Sequence, residues 1–155
     1  EDYYKRIEAI QFTMSHDDGK KVDDINLADV VLLGVSRTSK TPTSIYLANR
    51  GYKTVNIPLV LDQKIPEDLY SNRTSCIVGL IADPERLSDI RRNRVAIMQD
   101  QNLKDYTDLD SITKEVEDSK KLFKQNSWPI IDVTRRSVEE TAASILKIIE
   151  IKKKQ

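Results

Sequence analysis

The stretch Val30-Val31-Leu32-Leu33-Gly34-Val35-Ser36-Arg37-Thr38-Ser39-Lys40-Thr41 decides how the chain is read. Four apolar residues in a row, closed by Gly34, describe a short strand buried on both faces, the habit of a parallel sheet. The polar segment from Gly34 to Thr41 has the spacing of G-x-x-x-x-G-K-[ST], with Ser39 in place of the second glycine. Such a loop needs consecutive backbone N–H groups curled around a polyphosphate, at the positive end of the following helix. It also needs a Lys point charge for the outer phosphates and a hydroxyl for Mg²⁺, places held here by Lys40 and Thr41. Ser36, Thr38 and Ser39 offer further hydroxyl donors, and Arg37 a second cation. A side chain at Ser39 narrows the loop unless its φ is negative. The alternative is a polar turn ahead of a helix, with Ser and Thr serving as caps.

Outward from the loop, the pattern alternates strands with helices. Residues 3–14 place Ile7, Ile10 and Met14 on one helical face, and His16-Asp17-Asp18-Gly19 ends that helix. After the loop, 43–50 reads as a short helix with Pro42 in its first turn and Gly51 past its end. Strands are expected over 53–60, 76–81 and 130–133. Asp83-Pro84 starts a helix running to about Met98, and Thr107 opens another whose face uses Leu109, Ile112, Val116 and Phe123. Ser137-Val138-Glu139-Glu140 is a capping box for a final helix with Val138, Ala142, Ile145, Leu146 and Ile149 on one face. The expected fold is a three-layer α/β domain with a mainly parallel sheet, P-loop-kinase-like, filling residues 1–155 as a single unit.

Composition excludes several functions. The 155 residues carry 25 Lys and Arg against 25 Asp and Glu, so no net field draws the chain to nucleic acid. No apolar run approaches the roughly 18 residues of a membrane-spanning helix. One cysteine, Cys76, excludes an intrachain disulfide and a Cys-rich zinc site, and suits a reducing, cytoplasmic setting. Cys76 and Trp128 read as packing residues.

Residues 31–48, from Val31-Leu32-Leu33-Gly34-Val35-Ser36-Arg37 through Thr38-Ser39-Lys40-Thr41-Pro42 to Leu47-Ala48, closely resemble the bacterial and plant regulatory proteins of pyruvate, phosphate dikinase and of phosphoenolpyruvate synthase. Arg6-Ile7-Glu8-Ala9-Ile10, His16-Asp17-Asp18-Gly19, Asp83-Pro84-Glu85-Arg86-Leu87, Ile90-Arg91-Arg92-Asn93-Arg94 and Trp128-Pro129-Ile130-Ile131-Asp132-Val133-Thr134 extend the resemblance over nearly the whole chain. A serine at the second-glycine position is usual in that family. The resemblance implies a bifunctional enzyme that phosphorylates a target threonine with ADP as donor. It also implies removal of that phosphate by phosphorolysis, with inorganic phosphate as acceptor and pyrophosphate as product. Family chains extend further at the N-terminus, so this sequence is expected to be their C-terminal, nucleotide-binding part.

On that resemblance, Gly34, Val35, Ser36, Arg37, Thr38, Ser39, Lys40 and Thr41 bind the ADP diphosphate, and Lys40 stabilises charge on the transferring phosphoryl group. His16, Asp17 and Asp18 are the candidates for orienting or deprotonating the acceptor threonine, or for holding Mg²⁺. Read without the resemblance, they form a solvated helix-end turn. Arg91, Arg94 and Arg135 are candidate phosphate or substrate contacts, because guanidinium meets phosphate bidentately. A solvated charged face is the other reading of Arg91 and Arg94. Thr41 is a candidate Mg²⁺ ligand, with Asp132 or Asp83, each at a strand's end, as the acid beside it; Asp83 already serves as a helix cap, which favours Asp132. The implied protein partner is pyruvate, phosphate dikinase or phosphoenolpyruvate synthase, and a homodimer is left open. Two rivals stand beside this reading: an ATP-using small-molecule kinase with Arg91, Arg92 and Arg94 as a lid, and a non-catalytic nucleotide-binding module.

Overall fold

The computed structural model describes residues 2–15, 27–35, 37–59, 75–98 and 109–153, without the side chains of 2, 93–98 and 153. Its elements run α1 (Asp2–Ser15), β1 (Val30–Gly34), α2 (Lys40–Ala48), β2 (Thr54–Pro58), β3 (Cys76–Ile81), α3 (Pro84–Met98), α4 (Leu109–Gln125), β4 (Ile130–Asp132) and α5 (Val138–Lys153). The four strands form one parallel sheet in the order β2-β1-β3-β4. Every residue of β1 is buried, as its unbroken apolar run requires.

The two faces of the sheet are covered differently. Val30, Leu32, Val78 and Leu80 share one face and cluster with Leu47 of α2 and with Ala142, Ile145 and Ile149 of α5. Val31, Leu33, Val55, Ile57 and Ile77 share the other and cluster with Phe123 of α4. Gly79 lies beneath the Phe123 ring so closely that a Cβ there would overlap it. The result is the three-layer α/β arrangement expected.

Several boundaries and faces differ from expectation. Helix α2 begins at Lys40 rather than 43, because Ser39 takes the cap position and its carbonyl accepts from the Thr43 amide at 3.1 Å. On α1 the buried positions are Ala9 and Thr13, while Met14 is 66% exposed. Thr13 is drawn inward because its hydroxyl accepts from the Thr54 amide at 3.1 Å, a bond the apolar spacing alone does not reveal. On α4, Ile112, Val116 and Phe123 are buried as expected, but Leu109 at the helix start is exposed. The capping box forms in both directions: the Glu140 amide donates to Ser137 Oγ at 3.1 Å, and the Ser137 amide to Glu140 Oε1 at 3.4 Å.

Candidate phosphate-binding site

Sheet order places the loop. The chain leaves β1 for β2 on one side and later returns to β3 on the other side of β1. In open parallel sheets, ligands bind outside the carboxyl ends of the strands at such a reversal. The segment 34–41 begins there, at the carboxyl end of β1.

Two described residues of the loop take a left-handed backbone. Arg37 has φ 72° and Ser39 φ 62°, both left-handed, with Thr38 between them on the ordinary side. Alternation of this kind turns successive N–H groups to the same side, a concavity that suits an anion. Ser39 thus holds the conformation a glycine normally occupies, at a cost of roughly 1–2 kcal/mol for a residue with a Cβ. The expected narrowing by its side chain is met by exposure: Ser39 is at the surface and makes no side-chain cap bond. Gly34 is needed for a separate reason. A Cβ there would lie 2.7 Å from Thr38 Oγ1 and 2.9 Å from the Leu80 carbonyl oxygen. The backbone of β3 cannot give way, so the loop leaves β1 at this point only through glycine.

Two donors close the loop on itself. The Val35 carbonyl accepts from Thr38 Oγ1 at 2.8 Å and from Lys40 Nζ at 2.9 Å. Thr38 is fully buried and Lys40 is 6% exposed. The ammonium is therefore drawn back onto the Val35 carbonyl rather than into solvent, from the first turn of α2, whose N-terminal end is positive. Thr41 follows on the same turn, half-buried. The glycine at the exit, the paired left-handed residues and the buried Lys are features that a diphosphate-binding loop requires.

The other parallel strands end at the same edge of the sheet. Gly34 pairs with Leu80, and Ile81 with Asp132, so Asp132 stands about two strand spacings, or roughly 10 Å, from the β1 line. Its Oδ1 accepts from the Thr134 amide at 2.9 Å, and Thr134 Oγ1 accepts from the Asp83 amide at 2.7 Å. Asp83 Oδ2 caps α3 through the Arg86 amide at 3.3 Å. Thr134, which the motifs did not single out, thus ties the ends of β3 and β4 together. Arg135 is exposed, at φ 62°.

Arg91 has a different setting from the solvated face. It is fully buried, with Nη1 2.8 Å from Glu115 Oε2, which ties α3 to α4. Arg92 is exposed; the Arg94 side chain, Ser36, His16, Asp17 and Asp18 lie outside the described residues. Cys76 and Trp128 pack as expected, buried and half-buried. Both line a cleft of about 350 Å³ at the amino-terminal edge of the sheet, with Ile148 and Lys152, and no described residue of 34–41 borders it. Burial there pushes the Cys76 thiol up from its usual range, against the opposing pull of Lys152. Among the described residues, no helix is long and apolar enough to cross a membrane, and no three His, Cys, Asp or Glu side chains converge. Mg²⁺ needs no such cluster, since it is commonly held by one or two carboxylates and by substrate phosphates.

Sequence reasoning also missed a buried polar seam behind the loop. Asn56 of β2 and Thr43 and Ser44 of α2 are all fully buried. An Asn within a run of strand residues was the available signal, because Asn is depleted in strands.

Comparison with known proteins identifies the family. The chain is 62% identical over 154 residues to a Pelagibacter ubique protein carrying the name pyruvate, phosphate dikinase regulatory protein, covering 99% of this chain and 56% of that one. Proteins of the same name from Erythrobacter litoralis and Rhizobium meliloti are 54% and 55% identical, covering 96% and 95% of this chain and 53% and 54% of theirs. The chain spans about half the length of the curated relatives it matches. The family model described as kinase/pyrophosphorylase matches residues 1–146, and the chain belongs to that family.

Proposed function

We propose that this chain is the nucleotide-binding part of a regulatory enzyme that acts on pyruvate, phosphate dikinase or phosphoenolpyruvate synthase. In one direction, a threonine hydroxyl of the target attacks the β-phosphorus of ADP; AMP leaves, and the hydroxyl proton passes to a base. In the other, inorganic phosphate attacks the phosphothreonine phosphorus, giving pyrophosphate and the free threonine. Both reactions move one phosphoryl group past the same loop, which explains how one site serves both.

The observation that carries this reading is the buried Lys40, its ammonium on the Val35 carbonyl, in a loop with two left-handed residues at the carboxyl end of a central parallel strand. Loop amides of 35–41 and Lys40 would hold the diphosphate, and Lys40 would offset charge on the group in flight. His16, Asp17 and Asp18 would orient or deprotonate the acceptor, with Arg94 and Arg135 as contacts to phosphate or target. Arg91 belongs to the same reading as the residue that, through Glu115, holds α3 in place. Thr41 and Asp132 would hold Mg²⁺, whose part is to neutralise phosphate charge. A cytoplasmic location and a homodimer belong to this proposal, the latter checked by sedimentation.

Calorimetric titration of the chain with ADP, ATP and AMP in the presence of Mg²⁺ tests it. ADP should bind at least as well as ATP. Lys40→Ala should weaken ADP by about 30-fold or more, equivalent to roughly 2 kcal/mol for a desolvated charge contact. A clear preference for ATP would favour an ordinary small-molecule kinase. An ADP affinity unaltered by Lys40→Ala in a folded variant would remove the phosphate role.

A further inference from the structure

We infer that Asn56 and Ser44 are positioning residues for the phosphate loop, holding the first turn of α2 through a buried hydrogen-bond relay from the sheet. This inference rests on the nucleotide reading of residues 34–41. The relay has two links. Asn56 Nδ2 donates to Ser44 Oγ at 3.3 Å, and the Ser44 hydroxyl donates to the Thr41 carbonyl at 2.8 Å.

The argument starts from what packing can and cannot do for α2. The buried face of this helix reads Lys40, Thr43, Ser44, Leu47, Ala48. Its apolar members fall in the second half, where Leu47 enters the main cluster with Leu32 and Val78. The first half, which carries Lys40 and Thr41, buries only polar side chains. Non-directional apolar contact therefore anchors the far end of the helix and leaves the loop end to directional bonds. Asn56 is placed to supply them. It pairs with Leu32 in register, on the face that α2 covers. A buried amide between Val55 and Ile57 costs free energy unless its bonds are made. Its bond to Ser44 is transmitted to the carbonyl of Thr41, so the azimuth of the first turn depends on it.

Thr43 supplies the internal control. It lies on the same turn, fully buried, and its Oγ1 has no hydrogen-bond partner among the described residues. Thr43→Val removes a buried hydroxyl of similar size from the same place without touching the relay.

The test compares the chain with its Ser44→Ala, Asn56→Leu and Thr43→Val variants by amide hydrogen exchange over 37–45, and by calorimetric titration with ADP and with AMP in Mg²⁺. Ser44→Ala and Asn56→Leu should speed exchange in the first turn of α2 by about tenfold, the loss of one net hydrogen bond. They should also shrink the preference for ADP over AMP by about tenfold, whereas Thr43→Val should move neither. Ser44→Ala keeps the test sound should Asn56→Leu fail to fold, because Ala suits a helix. Lys40-dependent ADP binding with an unmoved ADP-to-AMP preference in Ser44→Ala would overturn this inference alone. The same changes in Thr43→Val would also overturn it, as general loosening. No ADP binding, or binding indifferent to Lys40→Ala, would overturn the nucleotide reading and this inference with it.

Discussion

At the scale of single residues, the loop is held in a conformation that its side chains do not favour. Ser39 occupies left-handed space with a Cβ, and Arg37 does so two residues earlier. Ser39→Gly removes that strain but adds freedom to the unfolded chain, and the two effects oppose one another. We expect a net gain of about 0.5–1 kcal/mol, read as a higher denaturant midpoint at unchanged slope. A loss of stability would mean that the Ser39 side chain contributes bonds outweighing its strain. The mirror experiment is Gly34→Ala, which sets a Cβ against the fixed Leu80 carbonyl. How far the site could be read from the sequence follows from the same residues. Lys40 and Thr41 were legible because a motif fixes their order along the chain. The Val35 carbonyl that receives Lys40 was not, because it is a backbone atom of a residue whose side chain says nothing about hydrogen bonding.

At the scale of elements, strands and helix starts were legible where local chemistry is self-sufficient. The run 30–33 and the capping box at Ser137 and Glu140 need no distant partner to be recognised, and both formed. Helix faces were less legible. Met14 and Leu109 satisfied the helical spacing yet are exposed, while Thr13 is buried because β2 offers it a donor. Gly79 is a similar case, a glycine inside a strand whose purpose appears only once Phe123 of α4 is laid across it. Gly79→Ala should cost about 1–3 kcal/mol by overpacking, measured by denaturant unfolding. Adding Phe123→Leu should recover part of that loss, since the two positions are in contact and their effects should not add. Strict additivity would show that the ring is not what excludes the Cβ.

At the scale of the whole molecule, the proposed chemistry needs an acceptor as well as a donor site. If Asp17 and Asp18 serve transfer more than binding, Asp17→Asn and Asp18→Asn in a full-length protein should leave ADP affinity within about twofold, since a factor of two is under 0.5 kcal/mol. At least one of them should abolish phosphorylation of the target threonine, followed by phosphothreonine detection on each candidate target enzyme. Normal turnover in both variants would end the claim for those two residues.

The amino-acid sequence by itself determined the alternation of strands and helices, the place of the polar loop 34–41 between the first strand and its helix, and the family, since these rest on periodicity, caps and short motifs that act within a few residues. Only the tertiary structure decided the order β2-β1-β3-β4, which puts the loop at a reversal of the sheet. It also decided that Arg91 is buried against Glu115 and that Asn56 reaches the first turn of α2 through Ser44. The physical reason is the same for all three. Pairing between strands and bonds between buried polar groups join residues 12 or more positions apart, and nothing in the local pattern of either partner names the other.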